Sequence, residues 1–303
     1  MTECERLVSE GVIPDDFLKE ENRSDYHIPI SMKKVWAIEI DLLLQFTKVC
    51  RENNIRFWVI GGTLLGAVRH SGFIPWDDDI DITMPRDDYE RLLKLPTTTF
   101  CAPYFLQTPL NDNDYYCSFA RLRNSMTTAV TISKSNNCNN GIYLDIIPLD
   151  GYEKFTFLSH IRNTIIRTLN FIAHTYAYKI KTNIVRRLVC YFFNIPFFKI
   201  DLKKMYKVVD SLAKKIPWDK TNYVGNNLYS PYSMKKNKFK KKDFAETKWI
   251  PFEFIEVPIP IGYDHVLSTL MGNYMELPPI EKRGVWHSWK YEPDISFEEM
   301  VIK

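Results

Sequence analysis

Three aspartates near the end of one short segment are the residues best suited to chemistry. The segment from Phe57 to Tyr89 reads FWVIGGTLLGAVRHSGFIPWDDDIDITMPRDDY. Its acidic run alternates carboxylates with aliphatic side chains, which predicts a strand that includes Asp77, Asp79 and Asp81 on one face. Clustered carboxylates repel one another unless a cation lies between them. A hard divalent cation accepts carboxylate and phosphate oxygens alike, so the run predicts phosphate chemistry with Mg²⁺ or Mn²⁺.

A double glycine before this run predicts a turn that binds phosphate. The apolar run Phe57–Ile60 is followed by Gly61, Gly62 and Thr63, and a short helix is expected to follow as far as His70. The backbone N–H groups at the start of a helix favour a phosphate, and glycine lets that phosphate approach the backbone closely.

Three further residues complete the predicted constellation. Asp145 lies in the otherwise apolar run GIYLDIIPL. An unpaired carboxylate is costly there, so we assign Asp145 to the metal site or to uptake of an acceptor proton. Arg69 and Arg121 are candidates for phosphate binding, because a guanidinium matches phosphate oxygens bidentately. Taken singly, the glycine pair is also typical of a tight turn, the acidic run of a solvated loop and Arg121 of an ordinary salt bridge.

The elements that position these residues are predicted from apolar periodicity and turn residues. Apolar residues at spacings of three and four predict a long helix over Lys33–Asn53. We expect an α+β fold, in which a mixed sheet carries the carboxylates and helices surround it. Further predicted elements are strands over Ile55–Ile60, Ile80–Met84 and Gly141–Leu149, one or two strands within Pro103–Ser125, helices over Asp87–Leu95 and His265–Met271, and a strand-like segment over Phe252–Ile261.

The composition indicates a globular protein with a substantial core. The chain has 303 residues, of which 45% are hydrophobic and 14% aromatic, which fits one large domain or two small ones. Its N-terminus lacks the features of a signal peptide, and no apolar run reaches the length of about 18 residues that spans a membrane. We therefore expect a cytoplasmic protein. Its 6 cysteines form no CxxC pair, so reduced thiols are expected.

Positive charge is concentrated in one part of the chain, which we call the basic block. Between Gly151 and Lys242 there are 20 Lys and Arg against 4 Asp and Glu, and such a block favours an anionic partner. We expect Phe155–Ile216 to be mainly helical, with a break near Asn194–Pro196, and Tyr232–Asp243 to be a basic loop or hairpin. Two interpretations stay open. The block is a cap that binds an anionic or lipid-linked glycan near an anionic membrane surface, or it is a helical subdomain with solvated lysines.

The segment GGTLLGAVRHSGFIPWDDDIDI, from Gly61 to Ile82, resembles the signature of the LicD family. The prototypes of that family are bacterial phosphocholine transferases, and its animal relatives include the fukutin-related proteins. The upstream helix is also similar, as are FARLRNS at Phe119–Ser125, LDIIPLD at Leu144–Asp150 and LPPIEKR at Leu277–Arg283. This resemblance covers most of the chain outside the basic block. It implies a nucleotidyltransferase-like fold and transfer of a phospho-alcohol from a CDP-activated donor to a glycan hydroxyl.

The resemblance also implies roles for individual residues. Asp79 and Asp81 correspond to the metal-binding pair and Asp145 to the third carboxylate, with Asp77 as a further candidate ligand. The implied residues for donor and phosphate binding are Gly61, Gly62, Thr63, Arg69 and Arg121, joined by Lys282, Arg283 and His287 in the C-terminal part that closes the donor site. The expected cofactor is Mg²⁺ or Mn²⁺. The cysteine insertion that binds zinc in the animal relatives has no counterpart here, so no structural zinc is expected.

The predicted organisation has a nucleotidyltransferase-like catalytic core over residues 1–150, a basic helical subdomain over 151–245 and a C-terminal segment over 246–303 that returns to the core. The predicted function is metal-dependent transfer of a phospho-alcohol, with phosphocholine favoured, from CDP-choline or a similar donor. The acceptor would be a cell-surface glycan or its precursor, such as lipopolysaccharide or teichoic acid, at the inner face of the cytoplasmic membrane.

Two alternative functions stay open. One is nucleotidyl transfer to a small molecule with release of pyrophosphate, for which the same carboxylates would serve. The other is nucleic-acid binding by the basic block. We expect no nucleic acid, because the aromatic residues of the block fall at helical spacing rather than forming a stacking platform on a sheet.

Overall fold

The computed structural model describes residues 1–113, 115–131, 138–152, 157–177, 188, 191, 200–226, 236–284 and 289–301. These residues form an α+β fold with helices around a mixed sheet, which confirms the predicted fold class. The predicted break at Asn194–Pro196 and the predicted donor-site residue His287 lie outside the described residues.

Helices and strands alternate irregularly along the chain. The α-helices with bounds among the described residues are α1 (Glu3–Ser9), α2 (Ile30–Glu52), α3 (Gly61–His70), α4 (Arg86–Leu92), α5 (Phe157–Ala177), α6 (Leu202–Ala213), α7 (Tyr263–Met271) and α8 (Phe297–Val301). The strands are β1 (Glu21–Arg23), β2 (Tyr26–Ile28), β3 (Trp58–Val59), β4 (Ile80–Pro85), β5 (Tyr104–Gln107), β6 (Ala120–Asn124), β7 (Thr128–Thr131), β8 (Ile142–Tyr152), β9 (Tyr223–Gly225), β10 (Phe239–Lys240), β11 (Thr247–Phe252), β12 (Ile255–Pro260) and β13 (Trp289–Glu292).

The largest sheet has 7 strands and is built around β8. β8 pairs in parallel with β4, which continues to β3, and antiparallel with β6, which continues to β5. The far end of β8 pairs with β9, which continues to β10. Every residue of β8 is buried. Its near-continuous apolar sequence is therefore that of a strand covered on both faces.

The long helix α2 covers this sheet and supplies much of the core. It has 23 residues, so the predicted helix is confirmed with an earlier start. Trp36 of α2 is fully buried and stacks on Phe73, with the two ring centroids 4.6 Å apart. The helix ends where Asn53 caps it and Asn54 adopts a positive φ, which asparagine tolerates better than most residues. The turn that contains Asp77 lies against this helix, because Trp36 Nε1 donates to the Asp77 carbonyl oxygen.

Two predicted strands differ from those observed. The strand predicted over Ile55–Ile60 is reduced to β3, because α3 begins at Gly61 and only two residues pair with β4. The strand-like segment predicted over Phe252–Ile261 is instead the turn and second strand of a hairpin, β11 with β12. Glu253 adopts a φ of 52° in the turn between them, a conformation incompatible with one continuous strand.

The basic block contributes strands as well as helices. α5 and α6 pack on each other around a small apolar cluster of Ile166, Val209 and Ala213. β9 and β10 extend the central sheet, and β10 lies in the segment predicted as a basic loop or hairpin. Among the helices of the described part of the chain, none is long and apolar enough to cross a bilayer.

A buried network of ion pairs joins the basic block to the core. Arg86, at the start of α4, donates from Nε to Asp150 Oδ1 on β8 at 2.6 Å and from Nη1 to Asp210 Oδ1 on α6 at 2.7 Å. Arg86 is 4% exposed and Asp150 is 0% exposed. A charge network this deep is sensitive to loss of either partner, because the remaining charge is left buried and unpaired.

Candidate functional site

Three consecutive aspartates, which we call the acidic turn, form the centre of the site. β4 begins at Ile80, so the prediction that Asp77 and Asp79 lie on this strand with Asp81 is wrong. The turn nevertheless gathers Asp77, Asp78 and Asp79, and one carboxylate oxygen from each lies within 4.8 Å of the others. Such a set of hard oxygen donors fits a divalent cation. Asp78 was not assigned by the sequence analysis.

Two side chains from other elements explain why the acidic turn does not continue the strand. The indole Nε1 of Trp36 on α2 donates to the carbonyl oxygen of Asp77 at 3.0 Å. The hydroxyl of Tyr291 on β13 donates to the carbonyl oxygen of Asp78 at 3.0 Å and contacts Asp78 Oδ2 at 3.1 Å. These backbone carbonyls are thus held by side chains rather than by a neighbouring strand.

Asp81, Asp145 and Arg121 lie side by side across three strands. Asp81 on β4 is in register with Asp145 on β8, which is in register with Arg121 on β6. Arg121 donates from Nε to Asp145 Oδ1 at 2.6 Å, and its guanidinium carbon lies 3.9 Å from the centroid of the Tyr143 ring. Burial lowers the pKa of Arg121, but the Asp145 carboxylate more than offsets this and leaves it well above its usual range. The apolar sequence around Asp145 predicts an unpaired carboxylate, whereas the structure pairs it with the permanently charged guanidinium of Arg121.

The predicted phosphate-binding turn forms the first turn of α3. The helix begins at Gly61, earlier than predicted, and its N-cap residue, Ile60, has an apolar side chain that makes no capping hydrogen bond. The first N–H groups of an α-helix have no partner within the helix, and here they adjoin the carboxylates. A Cβ atom on Gly61 would lie 3.0 Å from Asp81 Oδ2, and one on Gly62 would overlap Asp77 Oδ2. The hydroxyl of Thr63 accepts a hydrogen bond from the Asp81 N–H at 2.8 Å, which fastens this turn to β4.

A buried glutamate that the sequence analysis missed faces the acidic turn. Glu39 lies on α2, one turn after Trp36, and is 1% exposed. Its Oε2 atom meets no hydrogen-bond donor among the residues that the structure describes. Burial raises the pKa of Glu39 well above its usual range, and the negative charges of the acidic turn and of Asp145 raise it further. The available signal was a lone acid in the apolar run VWAIEI.

Gly61, Gly62 and Thr63 form what we call the glycine turn. Arg69 lies at the opposite end of α3, about 12 Å along the helix axis from Gly61. Its Nη1 donates to the carbonyl oxygens of Tyr274 at 2.7 Å and Glu276 at 3.2 Å. Burial lowers its pKa, and the charge of Arg283 lowers it further. The guanidinium therefore holds the C-terminal segment in place, and its predicted contact with donor phosphate stays a prediction.

Of the predicted donor-site residues Lys282 and Arg283, Arg283 lies near Trp76, which directly precedes the acidic turn. The guanidinium carbon of Arg283 is 5.3 Å from the centroid of the Trp76 ring. Its Nη1 also donates to the carbonyl oxygen of Ser24 at 2.7 Å. Lys282 is exposed at the end of a short 3₁₀ helix, Ile280–Lys282. The structure thus brings Arg283 to the rim of the site, while Lys282 points to solvent.

His70 is expected to make the free energy of unfolding depend on pH. Arg69 donates from Nε to His70 Nε2 at 3.0 Å, which requires that nitrogen to be unprotonated. Burial lowers the pKa of His70 to about 4, with help from the charges of Arg69 and Arg23. The unfolded chain, with a histidine pKa of about 6.5, therefore binds the proton first as pH falls. Between about pH 6.5 and 4 the folded state should lose roughly 1–2 kcal/mol, discounted for partial exposure.

This expectation is checked by urea unfolding of the wild type and of His70→Gln between pH 7.5 and 4.5. The variant should lose less stability than the wild type over this range. His27→Gln, which removes an exposed histidine, should behave like the wild type. Equal pH dependence in the wild type and His70→Gln would contradict the expectation.

Comparisons with known proteins bear on this site. The sequence model of the family described as LicD/FKTN/FKRP, nucleotidyltransferase domain, matches residues 54–194. That range includes the glycine turn, the acidic turn and β8. Lipopolysaccharide cholinephosphotransferase LicD of Haemophilus influenzae is 26% identical over 261 residues, which cover 85% of this chain and 96% of that protein.

Two further relatives match shorter parts of the chain. An uncharacterised protein of Rickettsia prowazekii is 32% identical over 145 residues, covering 47% of this chain and 49% of that protein. Human ribitol 5-phosphate transferase FKRP is 50% identical over 35 residues, covering 12% of this chain and 7% of that protein. High identity over so short a segment indicates that the likeness is concentrated in one part of the domain.

Proposed function

Because this chain carries a nucleotidyltransferase domain of the LicD family, we propose that it transfers a phospho-alcohol from a CDP-activated donor to a hydroxyl of a glycan. Phosphocholine is the favoured group, because the relative matched along most of its length is named a cholinephosphotransferase, whereas the ribitol 5-phosphate transferase matches over a short segment. The observation that carries the proposal is the meeting of the acidic turn and Asp81 with the first turn of α3.

In the proposed reaction a hydroxyl oxygen of the glycan forms a bond to the donor phosphorus that bears the alcohol. The bond from that phosphorus to the oxygen of CMP breaks, CMP leaves, and a phosphodiester joins the alcohol to the glycan. The backbone N–H groups of Gly61 and Gly62 are placed to bind a donor phosphate oxygen, and the helix dipole favours its negative charge. A preorganised anion site of this kind aids transfer because it need not rearrange during the reaction.

The carboxylates have two roles in the proposal. Asp79 and Asp81 would hold Mg²⁺ or Mn²⁺, with Asp77 as a further ligand, and the ion would neutralise charge on the donor diphosphate. Asp145 is proposed as a third ligand or as the base that takes the proton of the acceptor hydroxyl. Arg121 fixes the orientation of Asp145 through their ion pair.

The experiment that tests this proposal is CMP release from CDP-choline, CDP-ethanolamine, CDP-glycerol and CDP-ribitol. Each donor is assayed with Mg²⁺ or EDTA, and with or without lipopolysaccharide and teichoic acid acceptors. Metal-dependent release from one donor supports the reaction class and identifies the transferred group. Absence of release from every donor and acceptor combination would reject the proposal.

Nucleotidyl transfer to a small molecule is the second candidate function. The observation that favours it is the description of the matched domain as a nucleotidyltransferase domain, since the same carboxylates would serve that reaction. Release of pyrophosphate from a nucleoside triphosphate, without CMP release from any CDP-alcohol, would select this candidate.

We also propose that the basic block contacts an anionic membrane surface, at the inner face of the cytoplasmic membrane, where a lipid-linked glycan would be presented. α5 exposes apolar side chains at helical spacing, namely Phe157, Leu158, Ile161 and Ile165. Lys240 and Lys242 are exposed in the same block. An exposed apolar helix face and exposed lysines in one block suit the interface of anionic lipids.

Charge reversal at the lysines should weaken membrane binding. The combined variant Lys240→Glu and Lys242→Glu is expected to reduce sedimentation with vesicles rich in phosphatidylglycerol by about tenfold or more, at roughly 1 kcal/mol for each lysine lost. Lys48→Glu with Lys94→Glu makes the same charge change at exposed lysines outside the block and should have a small effect. If the wild type does not sediment with these vesicles, the membrane proposal fails.

A further inference from the structure

Glu39 is a buried carboxylate, and one of its oxygens lacks the hydrogen bond that such a group usually has. Its side chain is 1% exposed. Within the described part of the chain, Oε2 meets no hydrogen-bond donor. Buried carboxylates are normally paired with a cation or hydrogen-bonded, because removing the charge from water is costly. The catalytic scheme above makes no use of this residue, so its position calls for a physical reason.

The position of Glu39 is fixed by the same face of α2 that holds the acidic turn. Trp36, three residues earlier, donates its indole N–H to the carbonyl oxygen of Asp77 at 3.0 Å. Residues three apart on a helix are neighbours on one face, so Glu39 lies one turn along from this anchor. The charges that act most strongly on Glu39 are those of Asp79, Asp78, Asp77 and Asp145. The strongest charges acting on Glu39 are thus those of carboxylates.

A second buried acid on the same helix provides a contrast. Asp41 is 0% exposed, and its Oδ1 likewise meets no donor among the described residues. Its other oxygen, however, accepts a hydrogen bond from the Tyr104 hydroxyl at 2.8 Å and lies 3.7 Å from Arg6 Nη2. Asp41 therefore has a cation and a donor of its own. For Glu39, two positions earlier, the charges that act most strongly are all negative.

We propose that Glu39 is an additional carboxylate of the divalent cation site, held by α2 against the acidic turn. The inference rests on the cation site of the proposed function and adds a residue to it. A bound divalent cation would offset the negative charges that act most strongly on Glu39, and carboxylate oxygens are the ligands that Mg²⁺ and Mn²⁺ prefer. Glu39 thereby couples occupation of the site to the packing of α2.

The test is Mn²⁺ binding, measured by titration calorimetry and by electron paramagnetic resonance of free Mn²⁺, with Mg²⁺ as competitor. Glu39→Gln is expected to raise the dissociation constant about tenfold to a hundredfold, as loss of a supporting carboxylate does at other metal sites. Asp41→Asn removes a buried carboxylate from the same helix and should leave the constant within about twofold of the wild-type value. The increase in Tm on adding Mn²⁺ should shrink in Glu39→Gln only.

Wild-type affinity in Glu39→Gln would overturn the inference while leaving the proposed function standing. Weaker Mn²⁺ binding in that variant, in a protein that releases no CMP from any donor, would support the cation site and reject the proposed reaction. If the wild type binds no divalent cation, both fail. If Glu39→Gln does not fold, Glu39→Met, with an apolar side chain of similar length, provides the same comparison. Failure of both variants to fold would assign Glu39 a structural role and overturn the inference.

Discussion

Replacing Asp81 with asparagine lowers CMP release by about a thousandfold, equivalent to roughly 4 kcal/mol of transition-state stabilisation, if the proposed site is correct. Asp81 lies in register with Asp145, and its Oδ2 would meet a Cβ atom on Gly61 at 3.0 Å. Asp81 therefore lies between the start of α3 and Asp145 on β8. Asparagine keeps the shape of the side chain but cannot supply its charge to a divalent cation.

The fold should survive this substitution. The backbone N–H of Asp81, not its carboxylate, donates to Thr63 Oγ1, and the strand pairing of β4 is unaffected. In EDTA the Tm should be equal to or above that of the wild type, because one of several neighbouring negative charges is removed. Asp87→Asn, at an exposed acid in the first turn of α4, should keep activity within about twofold. Full activity in Asp81→Asn would remove Asp81 from the site.

Loss of the Arg86 side chain should have the largest effect on stability. Arg86→Ala is expected to lower the free energy of unfolding by about 3–5 kcal/mol, because it leaves Asp150 buried and unpaired. Asp150 is 0% exposed, and Arg86 also donates to Asp210 on α6. The substitution therefore weakens both the interior and the contact between the core and the basic block. Urea unfolding followed by circular dichroism measures the loss.

Arg56→Ala is the matched control for this measurement. Arg56 Nε pairs with Asp88 Oδ2 at 2.8 Å, but the Arg56 side chain is 57% exposed. Asp88 is buried, but it stays paired after this substitution because Arg91 Nη1 also donates to Asp88 Oδ1 at 2.9 Å. Loss of the exposed Arg56 partner should therefore cost about 1 kcal/mol or less. Replacing Arg86 and Asp150 together should recover part of the loss, since no unpaired charge remains. Equal destabilisation by Arg86→Ala and Arg56→Ala would contradict the proposed importance of burial.

Much of the fold could be predicted because its signals are local. The apolar spacing of α2, the uninterrupted apolar run of β8 and the glycines before α3 each report the conformation of a few neighbouring residues. The resemblance between Gly61 and Ile82 then joined these elements into one fold. The predicted fold class is confirmed for the same reason, since sheet and helices follow from patterns within single segments.

The features of the site that the sequence did not predict depend on contacts between distant parts of the chain. The acidic run reads as a strand by alternation, yet Trp36 and Tyr291 hold its first carbonyls away from the ladder. The ion pair of Arg121 with Asp145 depends on the register between β6 and β8. Glu39 lacked a recognisable motif, because its neighbours in the site come from another segment. Such features are set by tertiary packing, which periodicity within one segment does not encode.

The parallel pairing of β4 with β8 also determines when the site can form during folding. Paired positions on these strands are 64 residues apart in the chain, as the bond from Thr83 to Ile147 shows. Parallel strands need a long crossover, and contacts of high sequence separation are slow to form because loop-closure entropy must be overcome first. Asp81 therefore meets Asp145 only when the crossover has closed and β8 has docked. A nascent chain that ends before Ile142 contains the acidic turn and the glycine turn, but it has no strand to bring the third carboxylate to them.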